Sequence, residues 1–220
     1  MFTIALDLLK EIHKLGYIAY IVGGYPRDKY RGKYTEDIDI CTNMRLEEVQ
    51  KNFEVPFSYP KLGSFKIMYK NTLFEVTTFR KEGSYLDYRH PSVVEFVDTL
   101  EEDLIRRDFV MNTLCIDQEG NYIDLLGSRR DIDKKMIRVV GNTRKKLIED
   151  PLRIVRALRF SMNFGFALEE ELKSEIEKNK KYVEKISIQK IEEEIGKITL
   201  IENQEKVREI LDLTNTKKGI

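Results

Sequence analysis

The spacing of apolar residues changes at Gly141, and that change constrains the fold more than any other feature of the chain. Before it, short β-rich runs are separated by turns. They are Tyr17 to Val22, closed by Gly23-Gly24, then Ile38-Asp39-Ile40, Ser64–Tyr69, Leu73–Phe79, Val93–Phe96 and a last candidate at Asn121–Leu125. Residues 3–14 carry Ile4, Ala5, Leu8, Leu9 and Ile12 at helical spacing, and residues 103–114 also read as helix. Pro26 fits the first turn of a short helix after the two glycines. Residues 81–92, with Gly83, Ser84 and Pro91, read as a loop. After Gly141, residues 142–200 read almost wholly as helix, broken near Asn163-Phe164-Gly165 and near Ile186-Ser187, with Ser187 a candidate N-cap. The expected class is therefore α+β: a mixed front half over 1–140, an all-helical segment over 141–200, and a short C-terminal remnant over 201–220.

Of the 220 residues, 41% are hydrophobic and 35% charged, enough to bury a core. No apolar run approaches the ~20 residues needed to span a bilayer, and the N-terminus lacks the basic stretch of a signal peptide, so a cytoplasmic location without membrane contact is expected. The cysteines Cys41 and Cys115 and the histidines His13 and His90 lie far apart and lack zinc-ligand spacing. Chemistry falls to Asp, Glu, Arg and Lys. Net charge is zero, yet residues 129–159 carry +7 and the remainder −7. Such a division suits a protein that holds phosphates in one place and metal ions in another.

The sharpest local signal is Asp37-Ile38-Asp39 on an expected strand. Residues i and i+2 of a strand point to one face, so the two carboxylates would project side by side and repel unless a cation stands between them. A pair of Mg²⁺ ions is one solution; two solvated acids on an edge strand is the other. Gly23-Gly24 between a strand and a helix allows backbone N–H groups to approach a phosphate, and Arg27 could add a donor fork; an ordinary turn and a surface Arg27–Asp28 pair are the alternatives. Together a phosphate cradle and a metal-binding pair describe triphosphate chemistry.

Gly23-Gly24-Tyr25-Pro26-Arg27-Asp28 followed by Asp37-Ile38-Asp39 resembles the first motif of the class II tRNA nucleotidyltransferase and bacterial poly(A) polymerase family. Arg106-Arg107-Asp108-Phe109-Val110-Met111-Asn112 is similar to its ribose-selecting motif. Asp124 to Gly127 with Ile137-Arg138-Val139-Val140-Gly141 resembles its hinge, Glu149-Asp150-Pro151-Leu152-Arg153 its base-reading motif, and Ile186 to Leu200 its last neck motif. The order of motifs over residues 20–200 makes the resemblance specific.

The resemblance implies a nucleotidyltransferase head with a mixed sheet, then a helical neck, with the family's body and tail absent. It implies two Mg²⁺ ions on Asp37 and Asp39, with Glu75 as a third catalytic carboxylate. It places the triphosphate on Gly23, Gly24 and Arg27, and the ribose on Arg107, Asp108 and Asn112. It assigns base reading to Asp150, Arg153 and Arg156, and a flexible loop to the segment holding Asp87 and Arg89. Asp150 and Arg153 are three apart at the start of an expected helix, so they can face the same way, and cytosine and adenine each offer an amino donor beside a ring-nitrogen acceptor that an Asp and an Arg can match; an N-cap at Asp150 before Pro151 and an ordinary basic Arg153 are the alternatives. The implied reaction is CCA addition, joining C and A from CTP and ATP to a tRNA 3′ end with release of diphosphate. CC-, A- or poly(A)-addition and an inactive RNA-binding remnant stay open, as does the oligomeric state.

Overall fold

The computed structural model describes residues 1–83, 88 and 92–213. They form two compact units: Met1–Gly83 with Val93–Ile132, and Asp133 onward with Tyr88 and Ser92. In chain order the first unit holds α1 (Phe2–Lys14), β1 (Ala19–Val22), α2 (Gly24–Tyr30), β2 (Asp39–Thr42), α3 (Leu46–Asn52), β3 (Glu54–Tyr59), β4 (Ser64–Tyr69), β5 (Thr72–Thr78), β6 (Arg80–Glu82), β7 (Val94–Phe96), α4 (Leu100–Ile105), β8 (Cys115–Ile116) and β9 (Tyr122–Ile123), and α5 (Ser128–Asp133) follows. Seven strands make one sheet in the order β3-β4-β5-β2-β1-β8-β9. It is mixed, because β2 runs parallel to β5 while its other pairings are antiparallel.

Strand alternation sorts the side chains between the two faces. On one face Ile21, Ile40, Phe65, Ile67, Phe74 and Val76 meet Ala5, Leu8, Leu9 and Ile12, the buried stripe of α1. On the other, Val22, Cys41 and Cys115 lie under Leu100 and Leu104 of α4. Burial and a hydrogen bond with Cys115 push the Cys41 thiol well above its ordinary value, and both cysteines are free.

Several elements of the first unit depart from the sequence reading. Residues 103–114 do not form one helix. Phe109, Val110 and Met111 are buried at three successive positions, which a helix cannot present to one core. The helix therefore ends at Ile105, and a 3₁₀ turn forms at Val110–Asn112. Asp37 and Ile38 precede β2 rather than lying in it. Lys81 and Glu82, at the start of the expected loop 81–92, lie in a strand, with Arg80–Glu82 paired antiparallel to Val94–Phe96. The strand expected at Asn121–Leu125 shrinks to Tyr122–Ile123. The Asp124 carboxylate there accepts hydrogen bonds from the backbone N–H groups of Gly127, Ser128 and Arg129 and starts α5.

The second unit contains β10 (Met136–Ile137), α6 (Thr143–Glu149), α7 (Leu152–Phe164), β11 (Ala167–Leu168), α8 (Glu170–Asn179), α9 (Ile188–Ile195) and α10 (Ile201–Ile210). It is not all-helical, since β10 and β11 pair in parallel. That pairing places Met136 and Ile137 with the helices rather than with the sheet, so the units divide between Ile132 and Asp133. Gly165, at φ 65°, ends α7 at the expected break. Ser187 holds the N-cap position of α9 without a side-chain hydrogen bond. No described helix is long and apolar enough to cross a membrane.

Gly63 sets the entry to β4. Its φ is +61°, its carbonyl accepts from Thr78 N–H at 2.7 Å, and a Cβ there would stand 2.4 Å from Phe96 Cε1. A left-handed residue with a side chain costs ~1–2 kcal/mol, and overpacking adds to that. Gly63→Ala is expected to lower unfolding free energy by about 1–3 kcal/mol in urea titration. An unchanged midpoint would show that the β4 entry does not need glycine.

Candidate active site

The site begins with register. Asp39, the first residue of β2, lies opposite Val22 on β1 and opposite Glu75 on β5. Directly opposed residues share a face, with Cβ atoms roughly 5 Å apart. Gly23 follows Val22 with φ +81°, and a Cβ placed on it would stand 3.2 Å from Asp39 Oδ2. The turn before α2 thus lies against the carboxylate. Asp37 is exposed and comes from the segment ahead of the strand, so the two-residue alternation does not place it. It is still close enough for its charge to act on Asp39.

Burial raises the Asp39 carboxyl from 3.8 to about 6, with further upward pressure from Asp37 and then Glu75 and a smaller opposing pull from the Arg107 guanidinium. Lys66, opposite Glu75 on β4, pairs with it at 2.7 Å. Three acids and one distant cation leave Asp39 short of positive charge. Among the described residues no group of three or more Asp, Glu, His or Cys is arranged to hold a metal ion. The arrangement fits Mg²⁺ nonetheless, because that ion is usually held by one or two carboxylates with water and substrate phosphates completing its shell.

A second cluster ties α2 to the turn at 108–112. Arg27 is buried, and its guanidinium donates to both oxygens of Asp28, at 3.0 and 2.6 Å, and to Asn112 Oδ1 at 2.6 Å. Asn112 Nδ2 donates to Asp108 Oδ1 at 3.1 Å, and the same oxygen accepts from Phe109 N–H at 2.7 Å. Asp108 and Asn112 are therefore brought together as expected, though by a turn rather than a helix face. Each end of the Asn112 amide is engaged inside the protein, as is the Arg27 fork. Both side chains hold the site's shape.

Arg107 stands apart in one respect. It donates from one terminal nitrogen to the buried Asp103 carboxylate at 2.8 Å, while its Nε is buried without a hydrogen-bond partner. An unsatisfied buried donor costs ~1–3 kcal/mol, and such a group is often a waiting ligand contact. Asp103 also accepts from Arg106 and from the Arg80 backbone N–H. The sequence reading missed Asp103 and Lys66. Asp103 had a signal in Arg106 and Arg107 at i+3 and i+4, whereas Lys66 had none without the strand register.

In the second unit, Asp150 lies between α6 and α7 rather than within a helix, and its Oδ1 accepts from Leu152 N–H at 3.2 Å. Arg153 is buried and donates to the Lys146 carbonyl at 2.8 Å, where the C-terminal end of α6 favours a cation. Asp150, whose carbonyl also accepts from Arg153 N–H at 3.0 Å, thus caps the start of α7, with Arg153 in the first turn beyond Pro151. Arg156 is half-buried with its guanidinium 5.7 Å from the Phe160 ring centre. Asp87 and Arg89 lie outside the described residues.

Residues 19–138, which carry the sheet and both clusters, match the family described as the poly A polymerase head domain. The chain belongs to that family. Head-domain relatives include the CCA-adding enzyme of Lactobacillus johnsonii, 39% identical over 211 residues that cover 96% of this chain and 53% of that one. The CCA-adding enzyme of Geobacillus kaustophilus is 40% identical over 198 residues, covering 90% and 49%. Among solved structures, the Bacillus stearothermophilus CCA-adding enzyme in complex with CTP superposes with a TM-score of 0.82 at 37% identity, covering 90% of this chain and 48% of that one. The chain spans about half the length of the relatives it matches.

The strained charge on Asp39 gives a stability test in the metal-free protein. Its folded-state pKa of about 6 lies above the unfolded 3.8, so protonation favours folding. The stability it contributes is complete below about pH 4 and is lost as pH rises through about 6. Each unit of pKa is worth 1.36 kcal/mol, so the loss approaches 3 kcal/mol. Asp39→Asn, which cannot ionise, is expected to stabilise the chain by up to about that amount at pH 8 and to melt like the parent near pH 3.5. A variant less stable than the parent at pH 8 would contradict the crowded-carboxylate account.

Proposed function

We propose that the chain is a template-independent RNA nucleotidyltransferase that adds C and A from CTP and ATP to the 3′ end of tRNA and releases diphosphate. The observation that carries this reading is the Asp39 carboxylate, crowded by Asp37 and Glu75 and set against the Gly23 turn. Its relatives' names and the CTP complex of a similar protein support the same reaction and the same nucleotides.

Gly23 and Gly24 present backbone N–H groups to the triphosphate, and Arg27 holds the turn that carries them. Asp37 and Asp39 would hold two Mg²⁺ ions, which would supply positive charge at the α-phosphate and favour ionisation of the attacking hydroxyl. Glu75 adds a third carboxylate to that field. Arg107 and Asp108 contact the ribose, with Asn112 fixing Asp108. The RNA 3′-hydroxyl attacks the α-phosphorus, the bond to the leaving diphosphate breaks, and no covalent enzyme intermediate forms. Positioning and charge stabilisation then carry the catalysis. Asp150 and Arg153 select the base, the carboxylate accepting from the amino group of C or A and the guanidinium donating to the ring nitrogen, with Arg156 beside them. Uracil and guanine present a carbonyl and an N–H instead, so both partners mismatch.

The test is incubation of the chain with a tRNA lacking its 3′-terminal CCA and each labelled triphosphate, singly and together. CMP incorporation followed by AMP is expected, with UTP and GTP poorly used. Asp39→Ala should lower turnover by more than the ~10²–10³ typical of one lost transition-state donor. Arg153→Ala should narrow the lead of CTP and ATP by about 1–3 kcal/mol. AMP alone, CMP alone or long poly(A) product would select another activity of the family. No incorporation into any RNA would remove the nucleotidyltransferase reading.

A further inference from the structure

Strand β3 closes one edge of the seven-stranded sheet and carries an aromatic face open to solvent. Phe57 is 61% and Tyr59 68% exposed, far more than rings of that size usually are in a folded unit. Alternation puts both on one face. Ser58 between them pairs with Phe65, which points into the α1 core, so Phe57 and Tyr59 look the other way. The helix α4 covers that second face over β1, β2 and β8, where Val22, Cys41 and Cys115 lie beneath Leu100 and Leu104.

The aromatic face is continuous with the carboxylate site. Phe57 lies opposite Lys66, Lys66 opposite Glu75, and Glu75 opposite Asp39, so one row of the sheet runs from the exposed ring to the crowded acid. Three strand spacings of ~4.8 Å make that row about 15 Å long, the span of about four stacked bases at ~3.4 Å each. Lys66 stands between rings and acids, paired with Glu75 at 2.7 Å. Lys61, in the turn after β3, is exposed on the same edge.

A sheet edge can instead recruit another strand, and this edge is guarded against it. Pro56 removes a backbone donor, and the register slips between Glu54 and Phe57. What remains attractive is the ring faces and the exposed Lys61. Flat aromatic faces beside cations on an open sheet bind unpaired bases in any sequence, because every base has a π-face.

We propose that this open face of β3 and β4 is the platform for the RNA acceptor: Phe57 and Tyr59 stack on its unpaired 3′-terminal bases, Lys61 takes a backbone phosphate, and the row through Lys66 leads the 3′-hydroxyl to Asp39. The inference rests on the proposed RNA nucleotidyltransferase reading and extends it to the second substrate. Phe57 and Tyr59 are positioning residues for that strand and leave the triphosphate untouched.

The experiment compares the intact chain with Phe57→Ala, Tyr59→Ala, the double variant, and Phe57→Leu with Tyr59→Leu. The rings are exposed, so thermal melts of all variants should match the parent. The first readout is quenching and affinity of a single-stranded oligonucleotide carrying 2-aminopurine near its 3′ end, which needs no turnover. The second is the KM for CCA-less tRNA against the KM for CTP. Each alanine should weaken oligonucleotide binding roughly 5- to 150-fold, matching ~1–3 kcal/mol per stacked base, with quenching reduced and leucine failing to restore it. The RNA KM should rise while the CTP KM stays put. Unchanged affinity and RNA KM in the double variant would overturn the platform, as would full rescue by leucine or no binding of single-stranded RNA by the parent. Concentration-dependent dimerisation lost in Phe57→Ala, with RNA binding intact, would assign the face to a second copy instead. If variants lose oligonucleotide binding but the parent incorporates no nucleotide, the platform stands and the catalytic reading falls; incorporation that ignores both rings gives the reverse.

Discussion

Parallel pairing of β2 with β5 sets Asp39 beside Glu75, and most of the site's chemistry depends on that register. A slip of one residue would turn Asp39 onto the α1 face, among Ile40, Val76 and Phe65, where a carboxylate has no partner. The apolar alternation of both strands excludes the slip. The core thus holds two negative groups together that would separate if free. The cost appears at Asp39, whose proton affinity rises because burial and two neighbouring acids oppose its charge. Lys66 answers Glu75 but not Asp39. A fold that maintains such a deficit beside a glycine turn is poised for a ligand bringing positive charge with it.

Two neutralised assemblies hold that deficit in place. Asp103 is fully buried and gathers Arg106, Arg107 and the Arg80 backbone, anchoring α4 and β6 to one carboxylate. Asn112 links Arg27 to Asp108, joining residues 85 positions apart. Buried charges broken from their partners typically cost 3–5 kcal/mol, so these clusters resist rearrangement. Rigidity around Asp39 matters because positioning, rather than covalent chemistry, would supply the rate enhancement.

The sequence made some of this legible and hid the rest for physical reasons. The buried stripe of α1, the glycine turn, the parts of the sheet with clear alternation and the breaks at Gly165 and Ile186 all express local periodicity or local turn chemistry. Asp39 is visible through its spacing from Asp37, although β2 begins only at Asp39, so strand alternation does not join the two. Glu75 came from family resemblance, and the register then explained its place. Lys66 and the Arg27–Asn112 contact depend on which strands and turns become neighbours, which no local pattern records. The helix expected over 103–114 failed because amphipathic spacing there competes with three consecutive buried residues. Asp150 and Arg153 show how far local signals reach: the Asp-Pro pair marks the start of α7, where Asp150 accepts from Leu152 N–H, whereas the Arg153 contact with the Lys146 carbonyl depends on how α6 and α7 meet.

On the proposed reading, Asp39 receives a divalent cation delivered with a triphosphate. Electron paramagnetic resonance of Mn²⁺ titrated into the chain, with and without CTP, measures this without any turnover. Weak binding by the chain alone is expected, with markedly tighter binding when CTP is present and loss of that gain in Asp39→Asn. Equal Mn²⁺ binding by the parent and Asp39→Asn in the presence of CTP would contradict it.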